Sequence, residues 1–443
     1  MNVESRIVSE NPNQSEPQPQ SDHSVSYPWM ARVARMPVRT DLGPSARVVY
    51  LVAFAIGIAF LIISVITAYL IDHNFRRFFF GYLANYAFYL SLALGAIFFV
   101  LLQHVTKAGW SVNLRRIAEC LAATMPMLFV LAIPIAISVL LQNGSLYPWA
   151  RPADQLAGDP LTLDKRNYLN PAAFIIRLAI YLSLWSWLGL WYWRRSTGQD
   201  YSGDPKLTRR MEILSAPALL IYAITLTFGA WDLFMSLDPH WYSTIFGVYY
   251  FAGAAVGGFS LLILIVFIIN RRGILLRSIT REHYHDLGKF LFGFVFFWGY
   301  IAFSQYMLIW YGNIPEETGW YRLRGATTVR GDMNAWSIVS LILLFCGLLI
   351  PFAGLLSRHV KRRRNLLVFW AAWVLVFHWL DCYWLVMPQY DLTGAFHLGI
   401  VEIASLIGLG GILVGSFVYI ASLHSLRPIA DPRLEESLLF ENI

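Results

Sequence analysis

Apolar and polar positions alternate along this chain on the scale of whole helices. Mainly apolar runs recur at residues 48–71, 81–103, 117–141, 171–193, 214–236, 244–270, 288–312, 334–357, 366–387 and 395–422. Each has about the 20 residues a helix needs to cross a bilayer. The pattern predicts an all-α polytopic membrane protein with ten transmembrane helices. It divides the chain into an N-terminal segment (1–47), a membrane domain (48–422) and a tail (423–443). Two connections are long, 142–170 and 313–333, and rich in aromatics, prolines and mixed charge. That composition suits docking of a partner, or ordinary ordered surface loops. No soluble domain and no strong internal repeat stands out.

Residues 1–27 are rich in Ser, Pro, Gln, Asn and Glu, a composition that predicts disorder. Residues 28–47 add Arg32, Arg35, Arg39 and Arg47 among apolar groups, which suits the membrane surface or a partner. The first apolar run starts only near Val48, too far in for an ordinary signal peptide.

Composition agrees with the pattern: 57% of residues are hydrophobic and 14% charged, against about 25% charged in soluble domains. The net charge of +7 does not indicate nucleic acid. The clusters Arg194 and Arg195, Arg271 and Arg272, and Lys361, Arg362, Arg363 and Arg364 all fall on one side of the predicted topology. By the positive-inside rule that side is cytoplasmic and holds both termini. Cys120, Cys346 and Cys382 form no C-x-x-C pair, and no C-x-x-C-H haem attachment occurs. They read as packing residues.

The region at 215–253 concentrates the chemistry. Two apolar segments meet through residues 237–243, with Asp232 near the end of the first and Asp238, Pro239, His240 and Trp241 in the turn. An aspartate inside an apolar segment costs about 2.5–3.5 kcal/mol on insertion scales, so it should face protein or a water-filled cavity. Further polar groups lie at comparable depth. Arg177 is roughly 9 Å below the outer boundary, and His378 and Asp381, three residues apart, share a helix face. Gln305 and Tyr306 sit in the outer half of the seventh segment, and His397 and Glu402 enter from the outer end of the tenth. Five segments thus place polar groups in one half of the bilayer. Glu119 is the exception, near the inner boundary, where Arg115 or Arg116 could pair with it at the surface. The alternatives are ordinary ones. Arg177 could snorkel outward, His397 could be interfacial, and Asp232 could form an ion pair with Arg177.

Several strings resemble one family. They are DKRNYLNPAAFIIRLAIYLSLWSW (164–187), the 215–253 region, HDLGKFLFGFVFFWGYIAFSQYMLIWYGNIPEET (285–318) and LDCYWLVMP (380–388). They are similar to the second, smaller NrfD-like (polysulfide-reductase-type) membrane subunit of bacterial alternative complex III, a quinol:electron-acceptor oxidoreductase. The likeness spans roughly residues 45–425. It implies ten helices, eight of them in two four-helix bundles, in the bacterial cytoplasmic membrane. It implies no haem or iron–sulfur cluster in this subunit and allows a quinone or menaquinone. The implied partners are a larger NrfD-like subunit, an iron–sulfur protein and c-type cytochromes. The role it implies, proton transfer or coupling, falls on Arg177, Asp232, Asp238, His240, His378, Asp381 and Glu402. A purely structural anchor and a secondary transporter are the competing readings. A transporter would favour broken helices at the midplane.

Overall fold

The computed structural model describes residues 39–71, 73, 75–325 and 333–441. The expectations for residues 1–38 and 326–332 therefore lie outside the described residues. Among the described residues, ten helices are long and apolar enough to cross a membrane. They are α1 (Ser45–Ile71), α2 (Arg76–Val105), α3 (Val112–Leu140), α4 (Pro171–Ser202), α5 (Pro205–Leu237), α6 (Phe246–Arg271), α7 (Arg281–Gly312), α8 (Ala335–Leu356), α9 (Arg364–Gln389) and α10 (Ile400–Leu423). The protein is an all-α polytopic membrane protein, and the described residues contain no strand, only an isolated bridge between Arg39 and Ile274.

Helix ends differ from the apolar runs because the helices continue past the apolar belt. α4 runs to Ser202, where Gly203 turns the chain in the left-handed region (φ +62°) and the Asp204 side chain caps the start of α5 through the Lys206 N–H. α10 starts later than its apolar run, since Glu402 reaches back to the Gly399 N–H at 2.7 Å and fixes the helix start there. His397 consequently lies in the connection before α10. Two helices are interrupted. Pro126 and Pro134 each open a new piece of α3. In α8 a π-helical stretch, Leu343–Leu349, precedes Pro351, and Trp373 satisfies the Cys346 carbonyl at 2.8 Å.

α2 and α6 are the most buried helices and form the centre. They cross where Gly95 meets Ala254 and Gly258; a Cβ on Gly95 would stand 2.1 Å from the Ala254 carbonyl oxygen. Between helices in lipid, such close backbone approach supplies the packing that a hydrophobic drive supplies in water. α2 also packs on α3, α5, α9 and α10, and α6 on α5, α7 and α9. α1 packs along α10 and buries little else.

The chain ends of the membrane domain are well tied. The Leu275 and Leu426 N–H groups donate to the Arg39 and Thr40 carbonyls, at 3.0 and 2.8 Å. The tail is packed: Asp431 pairs with Arg115, the Ser437 hydroxyl donates to the Trp110 carbonyl at 2.8 Å, and Phe440 lies against Trp110. This end of the bundle, with its arginine clusters, is termed the basic face. The other carries 142–170 and, of 313–333, the described residues 313–325 with the short helix Pro315–Leu323, and is termed the loop face.

Candidate functional site

Two buried aspartates mark the loop-face half of the bundle. Asp232 sits near the end of α5 and is fully buried. Arg177 of α4 grips both its oxygens, Nε to Oδ2 at 2.8 Å and Nη2 to Oδ1 at 2.9 Å, and the Tyr181 hydroxyl donates at 3.0 Å. Arg177 also donates to the Tyr168 carbonyl at 2.9 Å and lies 3.8 Å from the Tyr168 ring centroid. A bidentate guanidinium–carboxylate pair in this setting ties α4 to α5. The 142–170 loop roofs it: the Tyr147 hydroxyl and Trp149 indole N–H donate to the carbonyls of Leu233 and Ser236 at 2.9 and 3.0 Å. These bonds satisfy acceptors freed where α5 gives way to the 3₁₀ turn Met235–Leu237.

Asp381 of α9 has different company. The Tyr249 hydroxyl of α6 donates to one oxygen, and the Trp298 indole N–H of α7 donates to the other at 3.2 Å. Among the described residues no basic side chain forms an ion pair with it. Asp381 is 2% exposed and lies about 12 Å along the helix from the α9 end at Gln389. His378, one turn earlier, is also buried. Ser91 of α2 gives its hydroxyl proton to the Phe88 carbonyl (2.6 Å), so the His378 Nε2–H is the donor to Ser91 Oγ at 2.7 Å. Room for the imidazole comes from α6, where a Cβ on Gly257 would stand 2.6 Å from His378 Cδ2. Beside the ring, Trp298 and Gly347 bound a void of about 10 Å³, room for about a single water.

The other candidates disperse. Glu402 is fully buried but paired with Arg77, Nε to Oε1 at 2.8 Å and Nη2 to Oε2 at 3.0 Å, and it caps its own helix. Asp238 accepts from the His240 backbone N–H and from Gln389 Nε2, both at 3.1 Å, joining the ends of α5 and α9. His240 meets Asp159 at 2.8 Å on the loop surface, more than half exposed. His397 pairs with Asp391 at 2.6 Å. Gln305 Nε2 donates to the Tyr321 hydroxyl at 3.0 Å, tying α7 to the 313–333 loop. The structure therefore brings Arg177 to Asp232 and His378 near Asp381. The two sets share no hydrogen-bond partner among the described residues.

Compared with models of known protein families and with curated proteins, the chain matches none. No group of three or more His, Cys, Asp or Glu side chains placed to hold a metal ion occurs among the described residues.

Sequence reasoning missed two features. Arg324, in the 313–333 loop, is fully buried and donates to the carbonyls of Trp384 (3.2 Å), Trp320 (3.1 Å) and Leu385 (2.6 Å). Its guanidinium lies 3.3 Å from the Trp320 ring centroid, and Trp320 in turn stacks on Trp241 at 4.3 Å. Burial pushes the guanidinium down to about 9, opposed by the nearby Asp238 and Tyr321. The second is on the basic face. Glu119 does approach both Arg115 (3.5 Å) and Arg116 (3.4 Å), but in a fully buried cluster with His104 (3.9 Å), not at the surface. Arg116 also binds Asp200 at 2.8 Å, so the cluster locks α3, α4 and the tail together.

Proposed function

We propose that this chain is the second NrfD-like membrane subunit of a quinol-oxidising complex, alternative complex III, and that it handles protons there through Asp381. The observation that carries the reading is a buried carboxylate held by Tyr249 and Trp298 with no basic partner among the described residues. Quinol oxidation gives quinone, two protons and two electrons. The electrons would pass to the iron–sulfur and c-type cytochrome subunits beside the larger NrfD-like subunit. A carboxylate can take up and release a proton without stranding a cation, which Asp232 and Glu402 cannot. His378 and the one-water void beside it offer the next proton position. The neighbour pattern supports α2–α5 and α6–α9 as two four-helix bundles, each with one buried aspartate on its last helix, Asp232 paired with arginine and Asp381 not among the described residues. The proposed setting is the bacterial cytoplasmic membrane, with the basic face and both termini in the cytoplasm and a quinone or menaquinone as the redox partner of the complex.

A structural anchor is the second reading, favoured by the Arg177/Asp232 and Arg77/Glu402 pairs. Asp381→Asn in the complex purified from membranes separates the two. Proton release and quinol turnover should fall about 100-fold or more if Asp381 is a working acid–base group. An assembled variant with wild-type turnover and proton release leaves only the anchor.

A further inference from the structure

The basic face carries a feature that the proton reading does not use. Where α7 begins and α8 passes through the short helix Arg358–Arg362 into α9, an open groove of about 1200 Å³ is lined by five arginines, Arg281, Arg358, Arg362, Arg363 and Arg364, together with His359. No Asp or Glu lines it among the described residues.

The members of this cluster do different things. Lys361 is turned inward and buried. Its Nζ donates to the Leu355 and Leu356 carbonyls at 2.9 and 3.1 Å and caps the end of α8. Arg362 pairs with Glu282 behind the groove, and Arg364 lies 5.3 Å from the Tyr284 ring centroid. Arg281, Arg358, His359 and Arg363 are exposed. Topology alone would place positive charge on this face. It does not require five guanidiniums around one concavity that no carboxylate lines among the described residues, a concentration of positive charge that favours an anion there.

The second observation is what adjoins the groove. It lies at the level where three membrane-spanning helices begin or end. Leu356, Leu366 and Phe369, on α8 and α9 directly beside the arginines, are 61%, 40% and 51% exposed. A ligand that meets both halves has a phosphate-bearing headgroup and hydrocarbon chains. An acidic protein segment would use the charge but leave the apolar flank unexplained. We propose that this groove is a binding site for an anionic phospholipid. Guanidinium groups bind phosphate oxygens in bidentate fashion, and the number of arginines suits a headgroup with two phosphates. This inference does not depend on the proposed function.

The test uses the full chain in neutral detergent, with native mass spectrometry and thermal unfolding. The probes are a four-chain bis-phosphate lipid of the cardiolipin type, phosphatidylcholine and inorganic phosphate. The anionic lipid should be retained and should raise the melting temperature, whereas phosphatidylcholine and phosphate at equal concentration should do neither. Arg358→Gln with Arg363→Gln should weaken lipid binding roughly 10-fold or more. Arg194→Gln with Arg195→Gln removes the same charge from the same face and should change binding less than about twofold. Equal weakening by both double variants would reduce the site to general surface charge and overturn the proposal. So would a lack of preference over phosphatidylcholine. Inorganic phosphate that matches the lipid's effect would reassign the groove to a free anion. Should the glutamine variant fail to fold, the wild-type comparison among the three probes still decides.

Discussion

Asp232→Asn discriminates between a structural and a proton-carrying role for the most conspicuous acid in the chain. In the structure Arg177 donates two hydrogen bonds to Asp232 at 2.8 and 2.9 Å and Tyr181 a third at 3.0 Å. An amide keeps the shape but loses the charge, and one Arg177 N–H must then face an NH₂ group. Breaking a buried ion pair from one side costs about 3–5 kcal/mol. Here Arg177 keeps the Tyr168 carbonyl and ring, and its side chain is 18% exposed, which lowers the expected loss to about 2–3 kcal/mol. That is a large share of the total stability of a typical domain, about 5–15 kcal/mol. Adding Arg177→Gln removes the stranded cation, so the double variant should recover at least about 1 kcal/mol relative to the sum of the single losses. Thermal and denaturant unfolding of the four proteins in detergent measures the cycle. Single variants within about 0.5 kcal/mol of wild type, or a strictly additive double variant, would refute the ion-pair account. A stable Asp232→Asn protein whose complex no longer releases protons would return Asp232 to the proton path.

Arg324→Lys should loosen the 313–333 loop. One ammonium cannot span three carbonyls or stack on Trp320, the expected loss is about 2–3 kcal/mol, and limited proteolysis at the loop reads it; an unchanged cleavage rate would count against the role assigned to Arg324. The connection between α9 and α10 should respond to acid. The hydrogen bond from His397, with help from the Thr393 N–H, holds Asp391 down to about 2, below its ordinary 3.8. A lowered carboxylate stabilises above its unfolded value, so this contribution is complete above pH about 4 and is lost as pH falls toward about 2. Thermal stability of wild type and Asp391→Asn should converge across that window, and parallel curves would exclude the pair as its source.

The helices were legible because the bilayer sets a length, and ten runs of that length occur. Their ends were not, because helix continues where the apolar signal stops. α4 runs nine residues beyond its apolar run, to Ser202, and Gln199 near its end bonds Thr208 of α5 in both directions, at 2.8 and 3.0 Å. Depth was legible too, since rise per residue places Arg177, Asp232, His378, Asp381 and Glu402 in one half of the bundle. Depth says nothing of azimuth, however. Arg77 as the partner of Glu402, and Tyr249 and Trp298 as partners of Asp381, depend on which helices are neighbours, and a Tyr or Trp in such a chain reads first as an interface residue. Arg324 was hidden for the same reason, as one charge in a loop of mixed charge.

A local likeness escaped the periodic reading altogether. In α5 and in α9 an aspartate precedes a proline by seven residues, Asp232 before Pro239 and Asp381 before Pro388, and each helix tightens into a 3₁₀ turn just short of or at the proline. The cross-link between Asp238 and Gln389 joins the two turns. Helices that end alike hold their acids in unlike surroundings, because the neighbours supply the difference. α4 offers Asp232 an arginine and a tyrosine, whereas, among the described residues, α6 and α7 offer Asp381 a hydroxyl and an indole N–H. An arginine offsets the charge of the carboxylate it grips, whereas neutral donors do not. If the two sites were brought to resemble each other by Arg177→Gln, Asp232 too would be held by neutral donors alone among the described residues.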